Sequence, residues 1–400
     1  MDAKGNPVIF TNGDNDTFPL WYNQETEGVR TDARVCNLSY LQTDWYIDQM
    51  RRPAYDSPSL PISWTRLQYV TGTREGIPVQ PDALQQVIDY YKDSPEDLKQ
   101  MLGDNPYELK NIIRHWVLND NPDLQIFPTD SIVVTVDKEA VKRSGMMIAA
   151  DSIPDVMHIS LKGKRAVYKS EMMMLEMISQ ANWERPLYMS TTVGPDNYGH
   201  LGDNFVQEGL ACRITPFDTK QSGRTIDSER MYNNMMNKFK YGGLKENPDI
   251  YLDETVIRMC YTHRRLFNQL AQQLLKEGQK DKALKVLQRA EEEIPGSIVP
   301  HEAFYGHSLE LADAWLALGH KAEAEKLLNA VGQNAKEYIE WYLSLNTQRL
   351  LQSSRECLMQ IYILNDIAKT WEPIDKKKAE TYRMEVNNYA SRCHQRGMSL

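Results

Sequence analysis

The sequence predicts two domains: a Rossmann-like α/β domain with a mostly parallel sheet over residues 1–245, then an all-α, tetratricopeptide-like helical repeat domain over residues 250–400. Three observations point there. The first 50 residues read as strand, helix, strand, helix. Strand and helix signals stay mixed to about residue 215, and from Asp253 onward apolar residues recur at helical spacing with internal repetition. A chain of 400 residues also exceeds the usual size of one core.

The apolar run VIFT, residues 8–11, predicts the first strand. A helix over 18–27 follows, with Asp16 or Thr17 as N-cap, Pro19 in the first turn where its missing N–H costs nothing, and Gly28 as the stop. RVCNLSYL, residues 34–41, has the β-branched and aromatic content of a second strand. Thr43 caps a second helix, DWYIDQMRR, which Pro53 stops. The βαβα order implies a parallel sheet with right-handed crossovers.

The middle is less regular. Leu84, Val87, Ile88 and Tyr91 form one apolar helix stripe, and Leu109, Ile112, Ile113, Trp116 and Val117 form another. A β-rich run at 131–137, a short helix from Lys138 and an apolar stretch at 157–161 come next. Ser170 then caps the helix EMMMLEMISQ, RPLYMSTT (185–192) returns as a strand, and 210–215 adds a last one. Met172, Met173, Met174 and Met177 read as core or interface filling rather than a metal or cofactor site, because runs at helical spacing usually pack.

In LFNQLAQQLLKEGQKDKALKVLQRAEEEIP, the residues Leu270, Ala271, Leu274, Gly278, Ala283, Leu287, Ala290 and Pro295 stand at tetratricopeptide spacing. Ala312, Trp315, Gly319, Ala324 and Leu328 repeat the register. Gly278 and Gly319 lie 41 residues apart, against about 34 in a standard repeat, so an insertion separates the copies. A third pair, roughly 350–370 and 374–392, lacks the glycine turn, as a terminal capping unit does.

Composition narrows the function classes. A hydrophobic fraction of 41% with 25% charged residues fits a soluble folded chain. A net charge of −9 with interspersed bases counts against nucleic acid and against an anionic membrane surface. The five cysteines, Cys36, Cys212, Cys260, Cys357 and Cys393, are scattered without a CxxC pair. That spacing spells neither a zinc site nor a disulfide framework, so they read as buried or idle thiols. The start has no signal pattern, and no apolar run approaches the roughly 20 residues of a spanning helix. Read literally, the chain is soluble and unexported; a strand so close to Met1 equally suits a segment of something longer.

The stretch IFTNGDNDTFPLWYNQ has the outline of a nucleotide-binding turn, yet it carries Asp14, Asn15 and Asp16 where phosphate loops carry glycines and a lysine. In a parallel sheet the exits of the first two strands are neighbours. The first exit gives those residues with Phe18 and Trp21, and the second gives Asp44, Trp45 and Tyr46. Acids beside aromatics suit a neutral or cationic polar ligand that donates to carboxylates and stacks an apolar face on rings. Two other readings stay open: Asp14 and Asp16 as turn and N-cap residues, and an Asp-x-Asp pair holding a divalent metal in a soluble glycosyltransferase or hydrolase. The loop GPDNYGHLGDN, with Asp196, His200 and Asp203, either approaches the same site or is an ordinary flexible loop. The eight histidines form no HExxH, and no nucleophile elbow or Cys-His arrangement appears, so no catalytic residue, metal ligand or cofactor is assigned.

The run FTNGDNDTFPLWYNQETEGVRTDARVCNLSYLQTDWYIDQM resembles the segment just after the last membrane helices in a family of large bacterial multi-spanning proteins. These were long catalogued as a domain of unknown function and look like protein O-mannosyltransferases of the C-type glycosyltransferase class. ANWERPLYMSTTV (181–193) and the repeat tail are also similar to that family's soluble portion. The resemblance implies transfer of a sugar from a lipid-linked phosphosugar to protein hydroxyls, with catalytic acids in a membrane half that this chain lacks. It implies for this chain a periplasmic, membrane-tethered module, non-catalytic by itself. Its expected partners are the family's N-terminal membrane domain, a protein or peptide acceptor, and a protein held on the helical repeats. In related oligosaccharyl transferases an acid-and-aromatic motif after the membrane region recognises the acceptor peptide. By analogy Asp14, Asn15, Asp16, Asp44 and Trp45 would do so here. A plain repeat scaffold for protein–protein contacts is the remaining alternative.

Overall fold

Strand β1 (Val8–Thr11) is buried along its whole length, as a near-continuous apolar run between two covered faces should be. The computed structural model describes residues 5–247 and 249–398, so the opening residues read above for a signal pattern, 1–4, lie outside the described residues. The chain divides into two compact units, Met1–Met231 and Tyr232–Leu400.

In the first unit β1 pairs in parallel with β2 (Arg34–Asn37), Thr11 opposite Asn37, and with β7 (Leu187–Ser190), Val8 opposite Leu187. These three strands carry the parallel arrangement that the βαβα order predicts. The other half of the five-stranded sheet runs the other way. β9 (Ala211–Ile214) is antiparallel to β7, and β8 (Phe205–Gln207) is antiparallel to β9, giving the order β2-β1-β7-β9-β8. The sheet is therefore mixed rather than mostly parallel, because the three residues joining β8 to β9 are too few for a parallel crossover. Two antiparallel pairs stand outside this sheet: β3 (Gly76–Pro78) with β6 (Ala166–Tyr168), and β4 (Ser131–Thr135) with β5 (Val156–Ser160). The β-rich run at 131–137 and the apolar stretch at 157–161 are thus partners of each other.

Val8 and Phe10 face the larger core, which includes Met172, Met173, Met174 and Met177, each at most 1% exposed. The methionines are core filling, as expected. Their helix, Lys169–Gln180, starts one residue before Ser170, and Ser170 accepts a hydrogen bond from Gln42 Nε2 (2.8 Å) instead of capping. Ile9, Val35, Tyr188 and Ala211 face the other side, with Leu20 and Trp21 packed on them.

Helix α1 (Asp14–Glu27) begins four residues earlier than the sequence suggested, and its N-cap is Gly13 rather than Asp16 or Thr17. Gly13 sits at φ 81°, a conformation that L side chains resist, so the chain leaves β1 and enters the helix in one step. Pro19 consequently lies in the sixth helical position and leaves the Asn15 carbonyl without its helical N–H, at an exposed place. Gly28 closes the helix in the left-handed conformation, as expected. The predicted strand over 34–41 stops at Asn37, because the Asn37 side chain accepts from the Tyr40 N–H (3.1 Å) and bends the chain. Thr43 is the N-cap residue of α2 (Asp44–Met50), although its hydroxyl donates backwards to the Tyr40 carbonyl (2.7 Å).

In the second unit Glu254–Lys276 packs on Lys280–Glu293, Ser308–Ala317 on Lys321–Ser344, and Ser354–Trp371 on Lys376–Gln395. Gly278 (φ 74°) and Gly319 (φ 83°) turn the first two pairs. Leu270, Ala271, Leu274, Ala283, Leu287 and Ala290 are buried in the first pair, as are Ala312, Trp315, Ala324 and Leu328 in the second. The insertion between them is held by Arg264, fully buried, whose guanidinium donates to the carbonyls of Ile294 (3.0 Å), Val299 (2.8 Å) and Pro300 (3.1 Å). Arg264→Met should therefore strand buried carbonyls and cost about 2–4 kcal/mol in urea unfolding of this unit, with Arg264→Lys recovering only part because an ammonium lacks the planar fork. Equal stability of the Met variant and the parent would show that the insertion holds itself.

Candidate functional site

The register of β1 on β2 sets Thr11 opposite Asn37, so the two strand exits lie side by side. A buried polar network fixes what leaves them. Thr11 and Thr17 hydroxyls share a hydrogen bond (2.8 Å), and Asn37 Nδ2 donates to Thr17 Oγ1 (2.7 Å). The Asn37 N–H donates to the Tyr46 hydroxyl (2.9 Å), and outside this buried network, at the surface, Ser39 Oγ donates to Asn12 Oδ1 (2.6 Å). Burial raises the Tyr46 phenol far above its ordinary range, so Tyr46 stays neutral in this network.

Asp16 ties the turn to a third strand. Its Oδ2 accepts from the Asn12 N–H (3.0 Å), and its Oδ1 accepts from Ser190 Oγ (2.8 Å) at the end of β7 and from the Thr192 hydroxyl. Asp14 is exposed, and its Oδ1 lies 3.5 Å from the Tyr40 hydroxyl. Asn15 is exposed on the same turn. Asp44 accepts from the Thr71 N–H (3.2 Å) and stands 3.9 Å from Arg66, whose guanidinium also contacts Asp48. Trp45 is 54% exposed.

The rings of the two exits join into one ribbon. Phe18 and Trp21 stack at 5.6 Å, Trp21 and Tyr40 at 6.4 Å, and Tyr40 meets Trp45 at 6.0 Å and Tyr46 at 5.7 Å. Such ring pairs contribute about 0.5–1.5 kcal/mol each beyond their burial, which favours this arrangement before any ligand arrives. Phe18 stays 45% exposed at one end and Trp45 at the other. The surface therefore offers ring faces for an apolar or cationic group and, at its edge, the Asp14 carboxylate and the Asn15 amide for donors.

The five predicted residues thus divide. Asp14, Asn15 and Trp45 are exposed, Asp14 beside the Tyr40 hydroxyl, whereas Asp16 commits both oxygens to the fold and Asp44 commits its Oδ2. Tyr40, the residue that joins the two exits, lies in the stretch read as strand; the signal for it was Asn37 three residues earlier, a turn former at the end of an apolar run. Ser190, Thr192, Thr71 and Arg66 were not foreseen, since their partners are 174, 176, 27 and 22 residues away in sequence. His200 and Asp203 do not join the ribbon. They line a separate cavity of about 910 Å³ with Asp151, Asp155, His158 and Arg224. Among the described residues no three His, Cys, Asp or Glu side chains are grouped to hold a metal, and three donors already occupy the Asp16 oxygens. No helix among the described residues is long and apolar enough to cross a membrane.

Residues 1–234, which build the ribbon and its supports, match the family model described as TMEM260-associated domain 2, and the chain belongs to that family. No curated protein and no solved structure matches the chain.

Two expectations follow from the division of the acids. Asp16→Ala releases the Asn12 N–H and two hydroxyls and should destabilise the α/β unit by about 2–3 kcal/mol in denaturant unfolding, while Asp14→Ala should stay within about 0.5 kcal/mol of the parent. Similar losses for both would contradict the assignment of Asp16 as the tie. The Thr71 N–H, with help from Arg66, holds the Asp44 carboxyl below the ordinary carboxylate range. Because this folded value is lowered, the contact is intact above the unfolded value and is lost only as pH falls through the lowered one. An NMR titration of the Asp44 carboxyl should give a midpoint below that of a free aspartate, and an ordinary midpoint would remove the contact with Thr71.

Proposed function

We propose that this member of the TMEM260-associated domain 2 family is the extracytoplasmic, non-catalytic module of a membrane-bound, lipid-phosphosugar-dependent protein glycosyltransferase. In this reading it acts in the periplasm, tethered to a membrane domain that carries the catalytic acids, and its ring ribbon holds the acceptor chain. The observation that carries the reading is the continuous ribbon Phe18–Trp21–Tyr40–Trp45, open at both ends and edged by Asp14 and Asn15. A family described by its association with TMEM260 supports a place beside a membrane protein. An extended acceptor suits the ribbon chemically: apolar side chains lie on the rings, backbone N–H groups and hydroxyls donate to Asp14, and a lysine or arginine is drawn to ring faces and carboxylate alike. In this reading the arrangement serves positioning: the Asp16 carboxylate, which the Ser190 and Thr192 hydroxyls meet, ties the turn to β7.

The test uses the full-length parent protein with Trp45→Ala and, separately, Phe18→Ala. Both side chains are about half exposed, so the fold should tolerate the changes. Loss of a stacking face removes binding shared by ground and transition states, so KM for the acceptor should rise roughly tenfold with kcat nearly unchanged. An unchanged KM in folded variants would sink the acceptor role.

A further inference from the structure

We propose that Cys357 and Cys393 form a structural disulfide that staples the open end of the last helical pair. Cys357 lies near the start of Ser354–Trp371 and Cys393 near the end of Lys376–Gln395. The two helices are joined by the turn after Trp371, so at the cysteines they meet at the end far from their only covalent link. Both side chains are fully buried, and the two Sγ atoms stand 3.9 Å apart across a sequence separation of 36 residues. A disulfide places its sulfurs about 2.05 Å apart, so each has roughly 1 Å to travel, a displacement that side-chain rotation supplies.

The surroundings hold Cys393 in register for this bond. Arg392 makes a double hydrogen bond to the Glu340 carboxylate (2.6 and 2.7 Å), and Arg396 donates to the carbonyls of Leu343 (2.6 Å) and Leu345 (2.7 Å). These contacts on either side of Cys393 fasten the end of the last helix to the end of Lys321–Ser344, in the pair before it. The spacing in sequence gave no hint of the pair, because the thiols meet only once the helices fold back on each other.

The chemistry needs a disulfide oxidant such as oxidised glutathione. One cysteine thiolate attacks it, forming a mixed disulfide and releasing one thiol; the second thiolate then attacks the cysteine sulfur and displaces the other. Two protein S–H bonds and the oxidant's S–S bond break, the Cys357–Cys393 S–S bond forms, and the two electrons and two protons end as the S–H bonds of the two departing thiols. Burial, with Cys393 alongside, pushes the Cys357 thiol up to about 12, and burial raises Cys393 as well. Thiols held protonated are poor nucleophiles, so exchange is slow in the closed pair and occurs while its open end is frayed. The same burial then shields the finished bond from reductants, which marks a structural bond rather than a working redox couple. By closing a long loop the bond restricts the unfolded chain.

The test takes the full chain through a glutathione redox buffer with enough urea to fray the last pair, followed by alkylation in denaturant and peptide mapping. The expected result is a linked Cys357–Cys393 peptide, alkylation of the other three thiols, and an unfolding temperature roughly 5–10 °C above that of the reduced protein. Cys357→Ala and Cys393→Ala should each abolish that shift while unfolding near the reduced parent. Five alkylated cysteines would overturn the proposal, as would a linked peptide whose reduction leaves the unfolding temperature unchanged. Neither outcome bears on the acceptor ribbon, which lies in the other unit.

Discussion

The Asp16 carboxylate is the constraint on which the site depends. It fastens the turn after β1 to the end of β7 while accepting from the Asn12 N–H, and it does so from inside the first turn of α1. With Gly13 in a conformation that only glycine adopts easily, the helix has one direction available, and that direction brings Phe18 and Trp21 beside Tyr40. The neighbouring network through Thr11, Thr17 and Asn37 sets the second exit by the same means, using the Asn37 side chain to end β2 and turn Tyr40 inward. Thr11, Thr17 and Asn37 are buried and satisfy one another, and Asp16 is half-buried with three donors on its oxygens, which makes the arrangement costly to disturb and effective at holding one geometry. The rings are then free to remain partly exposed.

That division of labour explains the wrong-looking chemistry of a turn shaped like a phosphate loop. One acid serves the backbone, and one stays at the rim. A phosphate would meet Asp14 without a lysine to offset it, whereas a peptide brings donors and side chains that match rings and carboxylate.

The sequence conveyed much of this and missed specific parts for physical reasons. The α/β region before an all-helical one, the adjacent exits, the glycine turns at Gly278 and Gly319, and the methionine core all follow from local periodicity and are present in the structure. The start of α1 was misplaced because Asp16 and Thr17 are good caps locally, and only the distant Ser190 and Thr192 draw Asp16 elsewhere. The antiparallel half of the sheet depends on a very short connection between two weakly patterned strands. Tyr40 was hidden inside an apolar run that a single asparagine ends. The approach of Cys357 to Cys393 is a property of helix packing that no spacing rule encodes.

The proposed role of the ribbon is to meet the acceptor. Its most direct measurement is an NMR titration of this chain with an unglycosylated acceptor peptide, following the indole N–H signals of its tryptophans. Trp21 and Trp45 should shift together and saturably, while Trp64 and Trp371, fully buried elsewhere, stay in place. Saturable binding that leaves Trp21 and Trp45 unmoved would contradict it.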